Sequence, residues 1–176
     1  MACDITGILP KTCEVTNFAG IVKAYAIPAD QVVSFGTETA GEIPTITKET
    51  GKAFVELAFT KIKGSFGIAL ASEDVDAPNV STTTTLFVPL YTPERKVALD
   101  SLVGKELVLV VKDKNGQLII VGDKESPAHF SAAEGGTGTG AAGEVNGLTL
   151  TFTTPTGQAF PPFFSGTETD LLTPGV

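Results

Sequence analysis

Residues 105–123 read KELVLVVKDKNGQLIIVGD. Leu107 to Val111 and Leu118 to Val121 are short apolar runs without polar alternation, and Asn115-Gly116 lies between them. Asn-Gly tolerates the positive φ angles of a type I′ turn, so the stretch predicts a β-hairpin. A strand with no alternation is apolar toward both sides and has to be covered on both. This hairpin is therefore expected at the centre of the fold, with a helix over one face and an opposing sheet over the other.

The helix is read immediately upstream, in TPERKVALDSLVG at residues 92–104. Thr92 can cap it, Pro93 suits the first helical position, Glu94 suits the positive end and Gly104 can close it. Ala98, Leu99, Leu102 and Val103 form one apolar stripe. Elsewhere the chain reads as strands. Residues 20–27 and 32–35 flank a Pro-Ala-Asp turn. Residues 42–49 and 52–62 flank Thr50-Gly51, a hairpin signal, with Val55, Leu57 and Phe59 on one face. Residues 64–73 and 79–90 follow, the second carrying a threonine run that favours strand through β-branching. Residues 128–134 and 147–152 are the last two strands. The fold class is all-β, mainly an antiparallel barrel or sandwich with one short α-helix packed on it. Residues 1–154 form one β-rich domain. Residues 155–176, rich in proline and phenylalanine, show no periodicity and are expected to form an extended arm.

A chain of 176 residues can bury about 70% of its unfolded surface in a single core. Only 18% of its residues are charged, and 20 acidic against 12 basic groups give a net charge of −8. That balance disfavours a general DNA- or RNA-gripping surface, which works by neutralising phosphates with Lys and Arg, and anionic membranes likewise. The opening MACDITGILP has neither a basic region nor a long apolar run, so folding in a cytoplasm is expected, with Cys3 and Cys13 as thiols.

One motif points toward enzymology. Gly138 to Gly143 read GTGAAG, a match to the G-x-G-x-x-G nucleotide fingerprint. The fingerprint works only where a buried strand enters and a helix leaves, because pyrophosphate rests on helix N-terminal amides. Here a proline and a polar run precede the glycines, and the alternation of Leu148, Leu150 and Phe152 predicts a strand after them. No Lys or Arg lies within eight residues on either side. The stretch reads as a mobile loop between strands, with no nucleotide or other cofactor. His129 is the only histidine, so no second base completes a triad. Glu73, Asp74 and Asp76 lack the spacing of a calcium loop. Asp123 and Glu125 read as turn residues, and the chain has no tryptophan to stack a sugar. This inventory predicts no catalytic and no metal-binding residues: the chain is not expected to be an enzyme.

The order of these features, above all LVLVVKDKNGQLIIVG, the Gly/Thr loop and GEVNGLTLTF, resembles tail-tube and tail-ring virion proteins of tailed phages of Bacteroidetes-type hosts, the crAss-like phages and their relatives. The resemblance covers residues 18–152. It implies a homo-oligomeric ring or tube subunit in the tail or head–tail connector, assembled in the host cytoplasm into the virion. It also implies contacts with neighbouring tail or connector proteins, DNA passing through without specific binding, and no membrane. On that reading Gly135, Gly136, Gly138 and Gly140 together with Phe160, Phe163 and Phe164 contact neighbouring subunits. Glu73, Asp74 and Asp76 face the channel, where acidic groups repel DNA. A head-decoration or fibre-base protein is the alternative within the virion, and a non-catalytic surface-binding β-sandwich module is the alternative outside it.

Overall fold

The computed structural model describes residues 18–71, 79–138, 145–157 and 160–176. Cys3, Cys13, Glu73, Asp74, Asp76 and Gly140 lie outside the described residues. In chain order the elements are β1 (Ile21–Pro28), β2 (Val32–Phe35), β3 (Glu42–Ile43), β4 (Ile46–Lys48), β5 (Val55–Glu56), β6 (Ser65–Ala71), β7 (Asn79–Pro89), α1 (Pro93–Asp100), β8 (Glu106–Asp113), β9 (Leu118–Val121), β10 (Ala128–Gly136), β11 (Gly147–Gly157), β12 (Phe163–Phe164) and α2 (Glu168–Leu172). The protein is all-β with short helices, built on one curled, half-barrel sheet.

The predicted hairpin is the hub. Strand β8 pairs with β1 along its whole length, from Leu107↔Pro28 to Asp113↔Ile21. Its other edge is shared, β9 taking Leu109 to Lys112 and β10 taking Glu106 and Leu107. The sheet forks at this point. One limb runs β10-β11-β7-β6 and the other β9-β12-β3. Gly122 stands at the fork with φ +80°, and a Cβ there would lie 2.6 Å from the Ala128 nitrogen, so the chain can turn from β9 into β10 only as glycine.

Both faces of β8 are covered, as its composition requires. Val108 and Val110 enter one core with Tyr25, Ile27, Phe54, Ile120, Phe164 and Leu171. Leu107, Leu109 and Val111 enter a second with Ala26, Leu86, Leu150 and Phe152, over which Leu99 and Leu102 of α1 pack. The assignment of covers differs from expectation. The helix and the opposing limb of the curl share one face, and the small β2–β4 sheet and the C-terminal residues cover the other. At about 1.5–3 kcal/mol per buried Val or Leu side chain, this one strand carries a large share of the folding free energy.

Several local expectations are corrected. The β8–β9 turn is not type I′: only Gly116 takes a positive φ, +90°. The Asp113 carboxylate accepts from the amides of Asn115 and Gln117 at 2.9 and 2.7 Å, and the Asp113 amide donates to the Gln117 carbonyl at 2.9 Å. The result is a three-residue loop ending in a left-handed glycine. Thr50-Gly51 does form a turn, with Lys52 donating to Glu49 and Gly51 at φ +77°. Its flanks nevertheless separate, β4 pairing with β2 and β5 with β1, and the Gly51 amide donates to the Gly175 carbonyl. Val55 is exposed instead of sharing a buried face with Leu57 and Phe59. In α1 the cap is as read, Thr92 Oγ1 accepting from the Arg95 amide at 3.4 Å, but Val103 is exposed.

The largest correction concerns the expected arm. Residues 160–176 fold back over their own chain. Strand β12 slots between β3 and β9, Phe163 pairing with Glu42 and Ile119, and Phe164 and Leu171 are buried in the first core. Thr167 and Asp170 form a reciprocal capping box that starts α2 despite the surrounding prolines and glycines.

Candidate functional site

Two regions of the molecule carry polar or unsatisfied groups in an organised way. The first lies under the C-terminal residues. Glu168 accepts hydrogen bonds from Lys23 Nζ, the Tyr25 hydroxyl and Lys112 Nζ, each at 2.5 Å. These bonds, that from Lys112 strongest, push its carboxyl down to about 2. Burial and the bond to Glu168 push the Tyr25 hydroxyl up to about 12, and the same carboxylate raises Lys23. On the far side of α2, the buried Lys48 donates to the carbonyls of Asp170, Leu171 and Thr173 at 2.5, 3.1 and 2.5 Å. Burial lowers its pKa, while nearby Asp170 opposes that. A cation on helix-end carbonyls is a favourable placement, and the Leu171 carbonyl accepts from the Phe54 amide as well. These groups fasten the chain end. Together they form a clasp.

The second region is the limb β10-β11-β7-β6. Among the described residues strand β6 pairs only with β7, and its outer edge has no partner there from Ser65 to Ala71. Strand β10 pairs with β11 over its length, with a bulge between Phe130 and Ala132, but with β8 only at Ala128 and His129, so that among the described residues its edge has no partner at residues 130–136. One four-stranded antiparallel limb thus has an open edge on each side. Open edges are normally blunted by charge, proline or a bulge. The β6 sequence SFGIALA has neither charge nor proline, its pairing with β7 runs without a register shift, and Ile68 and Leu70 are 46% and 58% exposed. A strand of this kind is suited to continue into another chain.

The faces of the limb are as distinct as its edges. Thr82, Thr84 and Thr154 point into the molecule and are buried, with Thr82 and Thr154 hydroxyls 2.8 Å apart. Their neighbours Thr83, Thr85, Thr151 and Thr153 lie on the opposite face, and the Thr153 hydroxyl is 3.3 Å from His129 Nε2.

The residues singled out in the sequence fall as follows. Gly135 and Gly136 belong to β10 and not to a loop, paired with Leu148 and Gly147. Gly135 adopts φ +138°, and a Cβ there would lie 2.2 Å from the Gly147 carbonyl oxygen. Its glycine serves close strand approach. Gly138 has φ +72° just beyond the strand, and strand β11, not a helix, follows the glycines. Phe160 and Phe163 are exposed by 62% and 41%, whereas Phe164 is buried and unavailable to a neighbour. His129 lies exposed on β10, and Asp123 accepts from the Glu125 and Ser126 amides at 2.8 and 2.6 Å as a turn residue. Among the described residues no cluster of three His, Cys, Asp or Glu side chains is placed to hold a metal ion, and no helix is long and apolar enough to cross a membrane.

A cavity of about 490 Å³ lies beneath α1, walled by Ala26, Leu57, Leu86, Leu99, Leu107 and Leu150, with Glu56, Arg95 and Lys105 as its charged neighbours. Sequence reasoning did not find the cavity or the clasp. The clasp left one legible signal, Thr-x-x-Asp before an apolar pair at residues 167–172. Comparison of the chain with protein-family models, with curated proteins and with solved structures finds no match.

Proposed function

We propose that this protein is a structural subunit of a tailed-phage virion that closes with copies of itself into a ring or tube of the tail or connector, around the path of the DNA. The observation that carries the reading is the pair of edges on one antiparallel limb that have no partner among the described residues, β6 on one side and residues 130–136 of β10 on the other. A contact between two different edges is heterologous, and heterologous contacts propagate into closed rings or open helices. Joined in this way, the apolar side chains of β6 on its covered side, Phe66, Ile68 and Leu70, meet Phe130 and Ala133 of the next copy, and backbone hydrogen bonds supply the rest. The resemblance of residues 107–152 to tail-tube and tail-ring proteins points to the same assembly, and the net charge of −8 suits a conduit that does not hold DNA.

Negative-stain microscopy of the concentrated full-length chain should show annular or tubular particles. Ile68→Lys/Leu70→Lys places two charges on the open edge and should leave the melting temperature nearly unchanged while abolishing the particles. A wild-type chain that stays monomeric at every concentration overturns the proposal, and one that stays monomeric while binding a polysaccharide supports the surface-module reading instead. Particles that survive in the double-lysine variant exclude β6 as the joint.

A further inference from the structure

We propose that the cavity beneath α1 is a binding site for a small amphipathic anion, an apolar chain ending in a carboxylate of the fatty-acid kind. Uptake is a property of the single subunit, separate from its assembly. The opening holds about 490 Å³, within the range of about 300–1,000 Å³ typical of small-molecule pockets, whereas interiors packed for stability alone keep few voids larger than a water molecule. Its floor is made by the buried side chains of Ala26, Leu86, Leu107 and Leu150, from β1, β7, β8 and β11 in turn. Its walls are Leu57, Leu99 and Leu102, each half-buried. The helix that roofs it has no buried residue, so the second core covers Leu99 and Leu102 only in part. Three alanines keep the space free: Ala26 in the floor, and Ala58 and Ala98 at the exposed rim. A larger apolar residue at these positions would fill it.

Charge selects the head group. The chain carries 20 acidic and 12 basic residues, yet the cavity is lined by two cations, Arg95 and Lys105, against one carboxylate, Glu56. An acidic molecule therefore has a locally cationic margin around an apolar opening. Arg95 is half-buried and is held by a bond from Nη1 to the Leu90 carbonyl at 2.7 Å, which leaves the rest of its fork to donate to an anion. Lys105 and Glu56 are exposed. A carboxylate at this margin pairs with the two cations while staying in contact with water, so it avoids the cost of burying a charge. Its apolar chain then lies along the leucines. A cationic head of the same length meets two like charges, and a neutral head gains nothing from them. Filling the cavity completes the core under α1 and couples the helix to both sides of the curl, so occupancy raises the stability of the fold.

The test is calorimetric titration of the full-length chain with decanoate, decanol and decyltrimethylammonium, each below its micelle concentration, which compares three head groups on one apolar chain. Decanoate should bind at a single site with a negative heat-capacity change, the mark of apolar burial, and should raise the melting temperature with concentration. Decanol should bind more weakly and decyltrimethylammonium weakest. Arg95→Gln/Lys105→Gln should lower the affinity for decanoate about tenfold and leave that for decanol unchanged. Ala26→Leu and Ala98→Leu fill the space from the floor and from the rim, and each should abolish uptake. Ala98→Leu, at an exposed helix position, should do so without lowering the melting temperature, which separates a filled cavity from a damaged fold. Absence of decanoate binding overturns the inference, and so does equal binding of the three head groups. Uptake that survives both alanine replacements places the ligand elsewhere on the molecule and overturns it as well. Every outcome is read on the dissociated subunit, so a failure here leaves the ring reading standing, and a chain that stays monomeric under the microscope leaves the cavity reading standing.

Discussion

The two limbs that leave β8 differ in how completely they are closed. On the β9-β12-β3 side the first core is covered by the C-terminal residues, and two polar fastenings, Glu168 against Lys23, Tyr25 and Lys112 and Lys48 against the end of α2, hold the cover in place. On the β10-β11-β7-β6 side both edges are left without a partner among the described residues. A fold that leaves the β6 edge without charge, proline or bulge on one limb and fastens the C-terminal residues on the other separates two tasks. Self-sufficient stability resides near the hub, and the surface for association resides in the open limb.

The sharpest way to break this contrast is to remove the cover. Deleting residues 160–176 takes Phe164 and Leu171 out of the first core and uncovers Tyr25, Val108 and Val110. Each lost large side chain costs about 2–5 kcal/mol, comparable with a substantial part of a domain's net stability. The truncated chain should fail to give a cooperative thermal transition. A truncated chain that melts at the wild-type temperature would show the C-terminal residues to be an appendage after all.

A smaller effect isolates one fastening. Glu168 has a folded-state pKa of about 2 against an ordinary 4.5, so the folded form releases its proton more readily than the unfolded one. Its contribution is present above about pH 4.5 and is lost as the pH falls through 2. Wild type should therefore be more stable than Glu168→Gln at neutral pH, with the difference closing on acidification. Urea denaturation of both proteins across that range checks it, and a constant difference would mean that the charge is not what Glu168 supplies. The opposite sign applies to Tyr25. Its hydroxyl is raised to about 12 from 10.0, so the stabilisation is whole below pH 10 and declines as the pH rises through 12. In a Tyr91→Phe background, the tyrosinate absorbance should appear near the higher value.

These contrasts mark what the sequence could reveal. Leu107 to Val111 betrayed the hub because a run that is apolar at every position leaves only a doubly covered strand. Thr92 and Pro93 announced α1 by chemistry that few other structures need. Pairing was a different matter. Strands β3 and β5 have two residues each, too few to carry a pattern that selects a partner. The turn at Thr50-Gly51 is real, but nothing local says that its flanks diverge. The threonine run hid the site most effectively: Thr82 and Thr84 are buried and Thr83 lies outside, yet identical side chains show no alternation to read. In the C-terminal residues, proline and glycine density concealed a capping box that was present in the letters.

The finest distinction lies within the open limb, between adjacent glycines. Gly135 has φ +138° and would place a Cβ 2.2 Å from the Gly147 carbonyl oxygen, whereas Gly136 has no positive φ and open space around the same position. Gly135→Ala forces β10 away from β11 and should lower the melting temperature of the subunit. Gly136→Ala meets no obstacle and restricts the unfolded chain, so the monomer should be unchanged or gain up to about 1 kcal/mol. Gly136 also belongs to the open edge of β10, and in a joined sheet the backbone of the next copy passes close to it. There the added methyl meets a neighbour that the isolated subunit lacks. Gly136→Ala should therefore weaken particle formation while sparing the monomer, read by sedimentation at matched concentrations. Equal losses of stability and assembly in the two alanine variants would show that both glycines serve only the internal β10–β11 approach, and that the joint lies elsewhere on the limb.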